Sequence, residues 1–245
     1  MKIISDDNFK NELKRISNEY GFEFEEVVYD KLTKYKELLV EWNEKINLTN
    51  ITDNYEIIIK HFIDCMHIIK YIKYNDKVID VGTGAGFPGM VIAICMNDKI
   101  NITLLDSLNK RLIFLEEVKN KLNLKNVRIV HERAEEGAHK EEYREKFDIV
   151  VARAVASLNN LLEYTIGYIK VSGIGLYMKG NNYKEEIDIS KKAFLTLGCS
   201  IKNIYDYELE TDNEKYNRSI IEIEKKEILS NKYPRNYGQM KKKPL

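Results

Sequence analysis

DVGTGAGFPG, residues 80–89, is the stretch on which the fold turns. The apolar run Lys77–Val81 leads straight into it, and a strand ending in a glycine-rich bend opens an α/β unit. Gly82, Gly84 and Gly86 let the backbone turn sharply and approach a ligand closely, because no Cβ stands in the way. Pro88 suits the first turn of the next helix, where its missing N–H is not needed. The free N–H groups of that helix can meet a polar or anionic ligand group.

By itself the bend is ambiguous. Read from Gly84 it is GxGxxG, the dinucleotide fingerprint, and Asp106 closes the next strand at about the expected distance. Asp80, two residues before the first glycine, argues otherwise. A carboxylate near the bend would repel a pyrophosphate, whereas S-adenosylmethionine carries an ammonium and a sulfonium and no phosphate. Asp106 would then accept hydrogen bonds from the ribose hydroxyls. The residues favour an S-adenosylmethionine site at Asp80, Gly82, Gly84, Gly86 and Asp106. An NAD(P)-dependent oxidoreductase and a purely structural glycine turn are the alternatives.

Working outward, short apolar runs alternate with helical patterns. Strands are expected at Lys77–Val81, Asn101–Asp106, Val127–His131, Phe147–Ala152 and Gly173–Met178. Helices are expected at Pro88–Cys95, Lys110–Leu122, Glu135–Arg144, Leu158–Ile169 and Lys184–Leu197. Alternation of this kind implies a parallel sheet covered on both faces. Two late strands, Ser200–Glu208 and Ser219–Lys225, joined by a polar loop, suggest an antiparallel pair at one edge. The outline is an α/β, Rossmann-like, mostly parallel seven-stranded sheet of the class I S-adenosylmethionine-dependent methyltransferase type, at residues 75–230. A dehydrogenase would need a sixth parallel strand and a substrate domain. Upstream, apolar residues at helical spacing over Phe24–Ile46 and Tyr55–Ile72 give residues 1–74 as an N-terminal helical cap.

Composition fits one such domain with an appendage: 245 residues, 44% hydrophobic and 32% charged. No run approaches the ~20 apolar residues of a membrane span, and the charged N-terminus lacks a signal-peptide core, so a cytoplasmic protein is expected. Cys65, Cys95 and Cys199 show no CxxC pair and read as buried thiols, with neither disulfide nor metal site. The 39 Lys+Arg and 39 Asp+Glu balance, which weighs against wide coating of a nucleic-acid duplex. The tail 231–245 is the exception: Lys232, Arg235, Lys241, Lys242 and Lys243 occur without an acid. It reads as a frayed solvated end or as an RNA contact. No heptad or large apolar stripe asks for a partner copy, so a monomer is expected.

Over nearly its full length the chain resembles the bacterial 16S rRNA (guanine-N7)-methyltransferases, the RsmG or GidB family. The stretches that carry the likeness are WNEKINLTNIT (42–52), KHFIDC (60–65), DVGTGAGFPG (80–89), LLDSLNKR (104–111), RAEE (133–136), ARAVASLNNL (152–161), MKG (178–180) and the final KKKPL. The glycine motif is generic; LLDSLNKR, RAEE and ARAVASL in that order are far more specific. The resemblance implies that Gly82, Phe87, Ala134, Glu135 and Arg153 contact the cofactor. It also implies a partner, 16S rRNA or the small ribosomal subunit, and a target, a guanine N7 in the 530 loop.

Guanine N7 carries an in-plane lone pair and no proton, so methylation there needs no general base. Catalysis would rest on positioning and electrostatics. In agreement, His61, His67, His131 and His139 form no recognisable triad. Arg153 is the expected electrostatic residue, binding the cofactor carboxylate or an RNA phosphate, with an ion pair to Asp148 or a helix acid as its structural alternative. Asn47 and Asn50 are expected either to bond substrate or to cap the following helix. His61 is expected to be a surface or packing residue or else to face the cleft, Lys179 to contact phosphate or aid solubility, and Lys241, Lys242 and Lys243 to neutralise RNA phosphates.

Overall fold

Strand β1 (Lys77–Val81) forms where the alternation places it. In the computed structural model, which describes residues 3–212 and 214–245, Val78 and Asp80 point to one face of the sheet and Ile79 and Val81 to the other, all buried. Both faces of the strand are therefore covered, as a parallel sheet requires. Around β1 lie β2 (Asn101–Asp106), β3 (Val127–His131), β4 (Phe147–Arg153), β5 (Ile169–Lys179), β6 (Cys199–Glu210) and β7 (Lys215–Lys225). The order across the sheet is β3-β2-β1-β4-β5-β7-β6. Pairing is parallel from β3 to β5 and antiparallel for β5–β7 and β7–β6. The order reverses between β1 and β4, so the loops leaving these two strands open the crevice in which such sheets bind ligands.

On one face pack the N-terminal helices α1 (Phe9–Glu19) and α2 (Glu26–Asn43), then α3 (Asn54–Glu56) and α4 (Asp64–Ile69), joined by a π-helical stretch over Ile57–Ile63. With α5 (Gly89–Met96) and α6 (Asn109–Lys121) they share one apolar core that includes Val78 and Leu104 of the sheet. The opposite face carries α7 (Ala134–Gly137), α8 (Leu158–Thr165), α9 (Tyr183–Ile189) and α10 (Lys191–Thr196), around Ile79, Val150, Leu162 and Ile221. Cys65, Cys95 and Cys199 are buried and unpaired. No described helix is long and apolar enough to cross a membrane.

Four expectations need correction. The helix expected at Glu135–Arg144 ends at Gly137, after one turn. The one expected at Lys184–Leu197 is broken at Ser190, whose hydroxyl donates to the Glu186 carbonyl 2.6 Å away, so a local side-chain bond competes with the helix. The helix expected over Tyr55–Ile72 contains the wide π turns of Ile57–Ile63, which no apolar spacing announces. The frayed-tail reading also fails, because the last residues are docked. Arg235 pairs with Glu163 at 2.6 Å, α11 (Tyr237–Lys242) follows, Met240 and Leu245 are buried, and Asn159 Nδ2 donates to the Leu245 carbonyl at 3.3 Å.

Glu163 is fully buried, with Arg235 as its ionic partner. Removing the guanidinium strands a charge in the core. The substitution Arg235→Ala is expected to lower unfolding stability by about 3–5 kcal/mol, read from the urea midpoint, while Arg235→Met with Glu163→Leu recovers most of the loss.

Candidate functional site

The bend after β1 is held from inside by Asp80. Its Oδ2 accepts hydrogen bonds from Thr83 Oγ1 at 2.7 Å and from the Gly89 N–H at 2.8 Å, tying the start of the bend to the start of α5. Asp80 is fully buried, and its Oδ1 is buried without a partner. Burial pushes its carboxyl up to about 7, against the smaller opposing pull of its bonds to Thr83 and Gly89. The carboxylate lines neither of the cavities that flank the bend. The expectation that Asp80 itself meets the cofactor's charge is corrected to a role in shaping the bend.

The glycines follow from this geometry. Gly82, Gly84 and Gly86 have φ of 74°, 60° and 102°, a region that disfavours side chains. A Cβ on Gly86 would lie 2.7 Å from the Tyr35 hydroxyl, which donates to the Ala85 carbonyl at 2.5 Å. The N-terminal cap therefore grips the bend through α2, a contact that nothing in the helical pattern around Tyr35 signals. A Cβ on Gly82 would lie 2.8 Å from a Val155 methyl.

Two cavities flank the loop that follows β4. The first, about 330 Å³, is lined by Gly82, Asp106, Arg111, Glu132, Arg133, Ala134, Glu135, Ala154, Val155, Tyr164 and Tyr237. Asp106 receives the Gly84 N–H at 2.9 Å and the Leu108 N–H at 2.8 Å, on different oxygens. A carboxylate offers about four acceptor sites, so capacity remains for hydroxyl groups of a ligand. With Asp106, Glu132 and Glu135 against Arg111 and Arg133, the wall carries more acids than bases. That suits a nucleoside bearing positive charge better than a pyrophosphate, and S-adenosylmethionine fits it. The discrimination assigned from sequence to Asp80 falls to these carboxylates of the cavity wall.

The second cavity, about 830 Å³, lies between the cap and the carboxyl ends of β4 and β5, with Lys60, His61, Asp64, Arg153, Lys179, Glu185 and Arg218 in its wall. Ala154 and Val155 line both cavities, so this loop is a wall that the two share. Arg153 adopts its expected structural alternative, with a helix acid, Asp64, in place of Asp148. It bonds Asp64 at 2.9 Å, the Lys60 carbonyl at 2.9 Å and His61 Nδ1 at 3.1 Å, and its guanidinium lies 5.0 Å from the Phe87 ring centroid. Asp148 instead accepts the Lys77 N–H and pairs with Lys170.

Arginine only donates, so His61 Nδ1 accepts, and the ring proton sits on Nε2, 2.9 Å from Thr49 Oγ1. Burial and then the Arg153 charge push the imidazole down to about 3, so it is neutral at physiological pH. The ring of His61 lies flat on Phe87, 4.2 Å between centroids, and so covers Phe87, which is 6% exposed and presents little side chain to any ligand.

Other expected residues separate. Lys179 is not a free phosphate contact: it donates to the Ala156 carbonyl at 2.8 Å and to Glu186 at 2.7 Å, bracing the β4 loop against α9. Asn47 and Asn50 are exposed and cap nothing; Asp53 caps α3, and Asn43 Oδ1 holds Leu48 and Thr49. Lys241, Lys242 and Lys243 are exposed on α11 and just beyond it. Sequence reasoning passed over Asp64, although KHFIDC contains it beside His61, and over Arg218, Glu185, Tyr164 and Tyr237, which no motif marks.

The family model for GidB, rRNA small subunit methyltransferase G, matches residues 28–217. The ribosomal RNA small subunit methyltransferase G of Clostridium perfringens (strain 13 / Type A) is 49% identical over 235 residues, 95% of this chain and 97% of that protein. Its counterpart from Clostridium tetani (strain Massachusetts / E88) is 48% identical over the same shares. Among solved structures, M. jannaschii TYW2 in complex with AdoMet matches with a TM-score of 0.52 at 15% identity, covering 66% of this chain and 74% of that one, a likeness of fold.

The replacement Gly82→Ala combines an unfavourable φ with the Val155 methyl and is expected to weaken S-adenosylmethionine binding at least tenfold by calorimetry. For Asp80, the folded chain keeps a proton that the unfolded chain releases near 3.8, so ionisation erodes stability as pH rises from about 4 to 7. The Asp80→Asn variant lacks this term. Its stability relative to the wild type should therefore rise over that interval by on the order of 3–4 kcal/mol, measured as urea midpoints at pH 4.5 and 7.5.

Proposed function

This chain belongs to the rRNA small subunit methyltransferase G family, and from that footing we propose that it methylates N7 of a guanine in the 530 loop of 16S rRNA, in the cytoplasm. It is an S-adenosylmethionine-dependent rRNA methyltransferase of class I fold. The observation that carries the finer reading is the meeting of the two cavities at Ala154 and Val155, one suited to a nucleoside and the other wide enough for a base flipped out of a loop.

When bound, S-adenosylmethionine supplies an electrophilic methyl group. The chain's own residues then have to place a nucleophile and keep it in line. Arg153 is locked by Asp64, His61 and the Lys60 carbonyl, so the loop it begins has a fixed origin. Lys179 fixes the other end through the Ala156 carbonyl. Neutral His61 offers no proton near pH 7, and an N7 nucleophile requires none to be removed. Asp64, Glu185 and Glu186 share the larger cavity with Lys60, Arg153, Lys179 and Arg218, one more base than acid, a lining that would suit the phosphates flanking the target base. Asn47 and Asn50 on the cap, and Lys241, Lys242 and Lys243 on the tail, are proposed to contact the RNA around the target.

Labelled methyl groups should enter 16S rRNA of small subunits lacking the mark, and base-labile cleavage should map them to 7-methylguanosine in the 530 loop. Label in another nucleotide position would overturn the target. Loss of the Arg153 network in Arg153→Ala should reduce kcat about 100-fold through misplacement of the loop, with smaller change in cofactor affinity.

A further inference from the structure

The last residues of the chain are held firmly, yet one large side chain among them is not used to hold them. Arg235 bonds Glu163 through its backbone N–H at 3.0 Å, Nε at 2.7 Å and Nη2 at 2.6 Å, and reaches the Lys243 carbonyl at 3.0 Å. Asn236 caps α11 by accepting the Gln239 N–H at 2.9 Å, and Met240 and Leu245 are buried. Tyr237, between these anchors, is 49% exposed. Its ring lines the smaller cavity beside Tyr164, Arg133 and Glu135.

Tyr237, Arg133 and Glu135 also line a third cavity, of about 510 Å³. The smaller cavity thus shares Ala154 and Val155 with the larger cavity and Tyr237 with the third. We infer that Tyr237 is a cofactor-binding residue, supplied by the C-terminal segment, whose ring packs against the adenine of S-adenosylmethionine at the end of the cavity remote from the methyl group. This deepens the reading of that cavity as the cofactor site and rests on it. Purines have broad π faces and stack on aromatic rings with useful affinity, and an exposed tyrosine on an anchored segment offers such a face at little ordering cost. Removing the ring would take the aromatic face from the wall that the smaller cavity shares with the third.

Calorimetric dissociation constants for S-adenosylmethionine and for 5′-methylthioadenosine, measured on the full chain, test this. Tyr237→Ala should weaken both ligands by the same factor, about tenfold, while Tyr237→Phe stays within about twofold of the wild type. Equal affinity of the Ala variant and the wild type overturns the proposal, as does an effect confined to S-adenosylmethionine, which would place Tyr237 at the amino-acid end. Trypsin cleavage after Lys241 or Lys242 reports whether the tail stays docked; affinity lost only in step with new cleavage there also overturns it. A wild-type chain that binds neither ligand would instead overturn the reading of the cavity itself.

Discussion

A single buried carboxylate oxygen sets the geometry on which the site depends. Asp80 Oδ2 gathers the Thr83 hydroxyl and the Gly89 N–H, so the chain leaves β1, loops outward and re-enters at α5 within a fixed span. Everything between must be compact, and three glycines with positive φ satisfy that demand. From outside, the Gly84 N–H bonds Asp106 and the Ala85 carbonyl receives the Tyr35 hydroxyl, so β2 and the cap fasten the bend from two further directions. A backbone held at so many points presents the same surface whether or not a ligand is there, which is how a binding site avoids an ordering penalty.

The loop after β4 is treated in a comparable way. Arg153 closes the strand and is immobilised by groups from the π-helical stretch and from α4, and Asp64 also receives the Tyr207 hydroxyl at 2.7 Å. One ion pair therefore joins the central sheet, the N-terminal cap and the β6–β7 hairpin. The π turns contribute directly, since the Lys60 carbonyl is one of the Arg153 partners. Such turns free backbone groups for outside partners and are frequent at functional sites. The cap is accordingly part of the site's framework, because its helices share the core under the bend and its polar groups fix the arginine beside the cleft.

Much of the fold was legible before any coordinates. β1 and β2 occupy the expected residues, because fully covered parallel strands are short unbroken apolar runs bounded by polar turns, and β3 does so as an edge strand with Arg128 and His131 exposed. The edge pair was foreseen, although its strands prove longer, Cys199–Glu210 and Lys215–Lys225. Their outer halves alternate with polar residues and so carry a weaker signal. The break at Ser190 and the π turns were not legible, since both arise from hydrogen-bond choices that apolar spacing does not encode. At the site, Gly82 and Asp106 stand at the crevice as read, whereas Asp80 turned inward and Lys179 was taken up by Glu186.

By itself, then, the sequence determined what depends on near neighbours: which segments are strands, where the backbone must bend without side chains, and that an acid closes β2 at the crevice. Tertiary structure alone decided which distant groups neutralise one another. Arg153 meets Asp64 from 89 positions away, Tyr207 meets the same acid from 143, and Arg235 meets Glu163 from 72. A buried charge must find a partner, but any acid of suitable reach satisfies that need, so only the packed chain selects the one it has. The same packing turned a tail that reads as loose and basic into a wall of the first cavity, because burying Met240 and Leu245 brings Tyr237 to its mouth.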